Sequence, residues 1–235
     1  MKKKNKKLIR NFLSRRDNNR ALFWSLLTLV ICFIMSHLYW NPLFKVNHFL
    51  AASPYNVFEQ KEYWRLFTSS FIHADFNHFL SNSLMLTIMG YFVNYHFGTI
   101  VYPIFGFVSG IFINLFVIWD HTGNWTLVGA SGVVHYLWGF WFITYILIQS
   151  HIALNRRLMK VIAVGIFILV PTEFKANVSY LAHGIGIILG CFTGFLYFIV
   201  NRKKIKSYEV WKEIEEVVDE DLAMEAMTID IKEYQ

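Results

Sequence analysis

A few polar side chains stand where apolar ones would be expected, and their types suit acyl transfer. Residues 127–140 read LVGASGVVHYLWGF: Ser131 sits between glycines at the head of an apolar run, and His135 follows about one helical turn later. SYLAHGIGIILG places His183 at the head of a second such run, and HADFNHFLSNSL places His78 and Asn82 four residues apart. That spacing puts His78 and Asn82 on one helix face. A serine hydroxyl is a weak nucleophile until a base takes its proton, and imidazole is the usual base. The apolar runs hold no carboxylate to orient His183, which leaves a Ser131–His183 dyad and not a triad. Acyl transfer also needs donors at the developing oxyanion; His78, Asn82 and the backbone N–H of Ser131 are the available ones. Each residue also has a plainer reading: Ser131 as a helix N-cap, the others as interhelix hydrogen bonds.

What must position these groups is a set of membrane helices. Of the 235 residues, 55% are hydrophobic, 18% aromatic and 16% charged, and mean hydropathy is +0.39. Soluble domains carry nearer a quarter charged residues, so the expected fold class is an all-α membrane protein. Runs near the length of a bilayer crossing predict six spans, at about 21–39, 77–97, 99–119, 131–150, 157–171 and 179–200. The first is read as a retained signal anchor, because a cleavable signal has a shorter apolar region. Residues 1–20 carry nine Lys or Arg and one Asp, which suits anionic headgroups better than nucleic acid when an apolar run follows at once. The positive-inside rule then places the N-terminus, the 151–160 loop with Arg156, Arg157 and Lys160, and the 201–235 tail on the cytoplasmic side. In the tail, Trp211, Ile214, Val218 and Leu222 share a helical face, so 208–225 is expected to be an amphipathic helix. The aromatic connection over 40–76 suits the outer headgroup zone.

This topology brings the polar residues to one depth. Spans two, four and six all run inward, so their beginnings share the outer layer. His183 lies about 27 Å of helix from Asn201, and Ser131 about 28 Å from Ser150. Gly186, Gly190 and Gly194 continue a stripe below His183, and such stripes let a second helix approach closely. Gly139 lies on a similar face below Ser131. Spans four and six are therefore expected to pack tightly and bring Ser131 to His183, where water has a short route from outside.

Other classes fit less well. Cys32 and Cys191 lie in apolar runs with no metal or disulfide spacing, and read as packing residues. His73, His78, His135 and His183 cluster at one end of their spans, but no acidic or thiol ligand joins them there, and no broken helix marks a transport path. No metal and no cofactor are expected, and no second domain.

Three stretches together resemble one family, the rhomboid intramembrane serine proteases: WRLFTSSFIHADFNHFLSN, then GASG, then AHGIGIILG, which matches AHxxGxxxG. The resemblance covers about 60–200. It implies a six-helix rhomboid-like bundle, Ser131 as nucleophile, His183 as base, His78 and Asn82 lining the oxyanion hole with Ser131, and His73 and Gly129 as neighbours. Trp64 and Arg65 match a structural WR pair. The implied substrates are single-span membrane proteins, cut in or near the outer end of their transmembrane helix, in a multi-pass protein of the bacterial plasma membrane. His135 departs from the pattern: relatives often have Tyr there, stacked on the catalytic His, and an imidazole can stack or hydrogen-bond to His183. Ser69 replaces another His of some relatives. The short fifth span beside VPTEFKANVS is expected to move aside for substrate. The alternative class is a catalytically inactive rhomboid-like binder or escort of membrane proteins.

Overall fold

The computed structural model describes residues 2–14, 20–44, 47–120, 125–169 and 179–217. The chain divides into two units: Arg15–Arg202, and a terminal unit of Met1–Ser14 with Lys203–Gln235. Helices appear at every expected span: α1 (Ala21–Trp40), α2 (Phe76–Phe97), α3 (Gly106–Asp120), α4 (Ser131–Ile148), α5 (Leu154–Leu169) and α6 (Tyr180–Lys206). A wider helical turn, Ile100–Phe105, leads into α3. Among the described residues, four segments are long and apolar enough to cross a membrane: Ala21–Trp40, Ile100–Asp120, Ser131–Ile148 and Tyr180–Lys206. α2 misses that standard because Asn77, His78, Ser81, Asn82, Ser83 and Asn94 dilute its hydropathy. α5 misses it through its 16-residue length.

α2 is the central helix. Its buried stripe, Phe79, Asn82, Leu86, Met89, Val93 and Phe97, recurs at three and four residues and packs against α1 and α4. Phe97 meets Phe140 edge-to-face at 5.1 Å and Tyr197 at 5.4 Å, which joins α2, α4 and α6 at the opposite end from His78. Large apolar residues on the outer faces, such as Phe112, Ile188 and Val200, are exposed. This is the pattern of helices whose outer solvent is hydrocarbon.

The connection between α1 and α2 is more deeply packed than its aromatic composition suggested. Leu50, Ala51 and Ile72 form a small core with Met35, Tyr39 and Val128. Arg65 is only 5% exposed; its Nε donates to Glu62 at 2.6 Å and its Nη1 to the Ala51 carbonyl at 3.0 Å. The Thr68 hydroxyl donates to the Leu50 carbonyl at 2.9 Å. These bonds make the connection a built wall of the protein and not a loose headgroup loop.

Two expectations need correction. Arg156, Arg157 and Lys160 do not lie in a loop: α5 begins at Leu154, so they occupy its first turns. Long basic side chains can reach out of a helix from there, and the Arg157 guanidinium donates to the Ile146 carbonyl at the end of α4, where helix carbonyls lack partners. The segment over 170–178 lies outside the described residues, so the expected gate is described only through α5.

The second correction concerns the tail. Residues 210–217 are not helical. They form β2 (Val210–Val217), which pairs antiparallel with β1 (Lys2–Arg10). Lys6 stands opposite Glu213, and Leu8 stands opposite Trp211. Opposite charges and apolar pairs directly across a ladder stabilise it, and that long-range partner overrides the local helical spacing of Trp211 and Ile214. Val218 and Leu222 lie outside the described residues. Phe12, which is buried, packs edge-on to Tyr208 at 5.6 Å.

Candidate active site

Ser131 is the first residue of α4. The N-cap position is Ala130, which offers no side-chain bond to the helix, so capping does not account for the hydroxyl. The first N–H groups of a helix have no partner within it. At α4 the first intrahelical acceptor, the Ala130 carbonyl, is used by the N–H of Val134 at 3.0 Å. The N–H groups at Ser131 and Gly132 therefore have no acceptor within α4.

Glycine sets what lies next to Ser131. A Cβ on Gly186 would stand 2.5 Å from the Gly132 carbonyl oxygen, and one on Gly190 or Gly139 would collide with backbone of the facing helix. α4 and α6 thus touch backbone to backbone along the stripe the sequence predicts. Cys191 donates its thiol hydrogen to the Gly139 carbonyl at 3.4 Å, in keeping with a packing role. The contact brings His135 and His183 together with ring centroids 3.7 Å apart and planes within 12°. Of the two possibilities for position 135, the structure has the stack. The other ring edge is fixed: His135 Nδ1 lies 2.8 Å from the Ser131 carbonyl oxygen. A carbonyl only accepts, so this bond puts the proton on Nδ1. Ser131, His135 and His183 are joined in sequence by these two contacts. His183 is 5% exposed, and Tyr180 stands edge-on to it at 6.3 Å.

The opposite side is supplied by α2 and the loop before α4. Asp75 caps α2, its carboxylate accepting from the His78 N–H at 2.7 Å. The His78 ring lies against Gly129: a Cβ there would be 3.0 Å from Cε1 and 3.2 Å from Nε2. Gly129 has φ +121, a conformation that favours glycine, so this position is constrained twice. Asn82 is buried, and its amide donates one bond to the His78 carbonyl at 3.1 Å; an amide nitrogen carries a second N–H. His73 is set further back. Its Nδ1 is 3.1 Å from the Ser36 hydroxyl, its carbonyl accepts from Trp40 Nε1 at 2.7 Å, and its ring meets His78 edge-on at 5.2 Å. Burial pushes the His73 imidazole down to about 3, with the neighbouring His78 adding to the shift and Asp75 opposing it. His73 is therefore a neutral anchor between α1 and His78.

Two partners in this region were not singled out from sequence. Ala52 and Leu127 form an isolated two-bond bridge, with N···O distances of 3.3 and 2.7 Å. The Gly129 N–H donates to the Ser69 carbonyl at 2.9 Å. Asn114 on α3, 5% exposed, donates to the same 66–70 segment. The rule that polar residues inside spans need a reason flags Asn114, and it belongs to the outer end of its span. Ser69 is marked in the sequence only by standing where some relatives carry a His, with no role attached. Among the described residues, no group of three His, Cys, Asp or Glu is arranged to hold a metal ion.

Comparison with known proteins gives the same family throughout. The rhomboid domain model matches residues 60–200. The chain is 26% identical over 148 residues to YdcA of Bacillus subtilis (strain 168), covering 63% of this chain and 72% of that one; the name YdcA carries assigns it only provisionally as a rhomboid protease. It is 28% identical over 195 residues to the rhomboid protease GlpG of Klebsiella pneumoniae (strain 342), covering 82% of this chain and 69% of that one. It is 26% identical over 167 residues to rhomboid-like protease 1 of Toxoplasma gondii, covering 70% of this chain and 55% of that one.

Proposed function

The chain belongs to the rhomboid family of membrane proteins, and from that premise we propose that it is a serine endopeptidase that cuts transmembrane segments of single-span membrane proteins with a Ser131–His183 dyad. The observation that carries this reading is the linked set of contacts at the head of α4: His183 lies face to face with His135, whose Nδ1–H is bonded to the carbonyl of Ser131. A packing histidine needs no serine at its own depth, and a packing serine needs no fixed pair of imidazoles.

The chemistry follows from the groups present. His183 takes the Ser131 proton as the hydroxyl oxygen attacks the scissile carbonyl carbon, then returns it to the leaving amine. Water, admitted from the outer side, attacks the acyl-enzyme with His183 again as base. The oxyanion is assigned to the N–H groups at the start of α4 and the α2 side chains His78 and Asn82. Donors preset at that point stabilise the transition state without reorganising. The ring of His135 orients His183 by lying flat against it. No metal or cofactor enters the scheme.

Six crossings with both termini cytoplasmic in a bacterial plasma membrane fit the same scheme. The basic segments support it, and so does the pairing of β1 with β2: a ladder between the chain ends requires both ends on one side, hence an even number of crossings.

The test is a helix-destabilised single-span reporter in membranes holding the protein. Cleavage is expected, with Ser131→Ala and His183→Ala each abolishing it, and with a fluorophosphonate labelling Ser131. Full activity in either variant would sink the dyad. A reporter that is bound but never cut would favour the inactive escort.

A further inference from the structure

The oxyanion side is held from a third helix by a buried polar link. Asn114 Nδ2 lies 2.8 Å from the Leu66 carbonyl oxygen, 3.1 Å from Ser69 Oγ and 3.0 Å from Ser70 Oγ. Two N–H groups shared over three acceptors make a fork that grips the whole 66–70 turn. Ser69 and Ser70 are both fully buried. One turn earlier on α3, Gly110 leaves room for that turn: a Cβ there would be 3.0 Å from Ser70 Oγ. The turn in its own right holds the loop before the nucleophile, because the Ser69 carbonyl accepts from the N–H of Gly129 at 2.9 Å. Gly129 in turn backs the ring of His78 and is two residues from Ser131.

We propose that Asn114 is a positioning residue for the cleavage reaction, acting through Ser69 to set the height of Gly129, and with it the His78 ring, relative to Ser131. The inference rests on the reading of Ser131 as nucleophile. Asn114 touches neither Ser131 nor the proposed oxyanion; its whole effect passes through one turn and one backbone bond. Its neighbours say why the position is polar at all. The carbonyl of Leu66 and two buried hydroxyls need a donor in a span where water is scarce, and a leucine at 114 would leave all three without it. An anchor of this kind matters for rate because oxyanion donors must meet a position set to a fraction of an ångström.

The expected signature is a split between turnover and binding. Reporter cleavage is measured in proteoliposomes for Asn114→Leu, Ser69→Ala and the double variant, together with the rate of Ser131 labelling by a fluorophosphonate and thermal unfolding. Asn114→Leu should lower kcat at least about tenfold with KM unchanged, and slow labelling in parallel, at temperatures where the protein stays folded. Ser69→Ala should fall in the same direction, and the double variant should be little worse than Asn114→Leu, since both cut one link. Should Asn114→Leu fail to fold, Ser69→Ala, which deletes a single hydroxyl, carries the test. Normal kcat in the folded variants, or a loss accounted for wholly by the unfolded fraction, would overturn the proposal. No cleavage and no Ser131 labelling in the unsubstituted protein would overturn the site itself, an outcome the control separates from failure of the Asn114 link.

Discussion

On one side of Ser131 the chain is held by backbone against backbone; on the other it is held by side chains reaching loop carbonyls. The α4–α6 side is set by close backbone approach: at Gly139, Gly186, Gly190 and Gly194 a Cβ would meet backbone of the facing helix within 3.0 Å. The loop side adds to its few backbone bonds a set of side-chain struts: Arg65, Thr68 and Asn114 reach loop carbonyls, Trp40 bonds the His73 carbonyl, and the His73 ring is tied to Ser36. The difference matches what each side supplies. The first presents His183 to His135 at the head of α4, which suits a rigid seam with one possible spacing. The second presents His78 and the Gly129 loop, where each strut can be tuned singly.

The sharpest way to break the comparison is to widen the seam. Gly190→Val puts a branched side chain against the Tyr136 carbonyl and the Phe140 backbone nitrogen, so neither helix can yield without moving the other. Loss of folded protein is expected, with no cleavage, read by detergent extraction and reporter assay. Gly184→Ala is the control. Nothing lies within 4 Å of a Cβ there, so folding and activity should be unchanged. A folded, active Gly190→Val protein would mean that the seam is not backbone contact. On the loop side the largest effect should come from Arg65→Met. It leaves the Glu62 carboxylate, the partner of the Arg65 guanidinium, and the Ala51 carbonyl without their donors. Breaking a buried pair from one partner costs about 3 kcal/mol. Thermal unfolding should fall by several degrees, with the α4–α6 side still able to place His183.

The two sides also differed in how far they could be read from sequence, and for a physical reason. A seam built on small residues at three- and four-residue intervals leaves a periodic trace, so Gly186, Gly190 and Gly194 indicated the facing helix and the face that carries His183. A strut leaves none. Ser69 looks like any serine. Asn114 was open to the depth argument that found His78 and Asn82, since residue 114 sits near the outer end of the third span. The N-cap reading of Ser131 could be settled only by which residue turns into the helix first. The terminal strands were misread because their partner is the other end of the chain: Lys6 and Glu213 are complementary only once paired.

Acid should separate the sides further. His73 is a strut of the loop side, buried and neutral, with its imidazole pushed down to about 3 from the usual 6.5. Unfolded His73 takes a proton near pH 6.5, and folded His73 does not until about 3. The unfolded state therefore binds more protons across that window, and stability present above pH 6.5 is lost as pH falls toward 3, at up to about 1.4 kcal/mol per pH unit. His73→Gln keeps a polar group near Ser36 without a proton to gain. Thermal unfolding at pH 7, 5 and 4 should fall more steeply for the unsubstituted protein. Equal slopes would show that His73 is not the group that titrates.

The smallest effect concerns His135, which touches both the seam and Ser131. His135 offers His183 a flat ring at 3.7 Å and offers Ser131 a donor at 2.8 Å, and the two contributions can be told apart. An aromatic pair is worth roughly 0.5–1.5 kcal/mol beyond its buried area, so His135→Ala should lower kcat by about two- to tenfold. His135→Tyr keeps a ring for the stack and gives up the Nδ1 bond. If the stack is what orients His183, the Tyr variant should hold kcat within about threefold of the unsubstituted protein and exceed the Ala variant. If the bond to the Ser131 carbonyl matters more, Tyr and Ala should fall together, and the seam would then act on the nucleophile through its backbone as well as on the base. Equal kcat in all three proteins would leave the seam itself, through Gly186 and Gly190, as the only feature that sets His183 against Ser131.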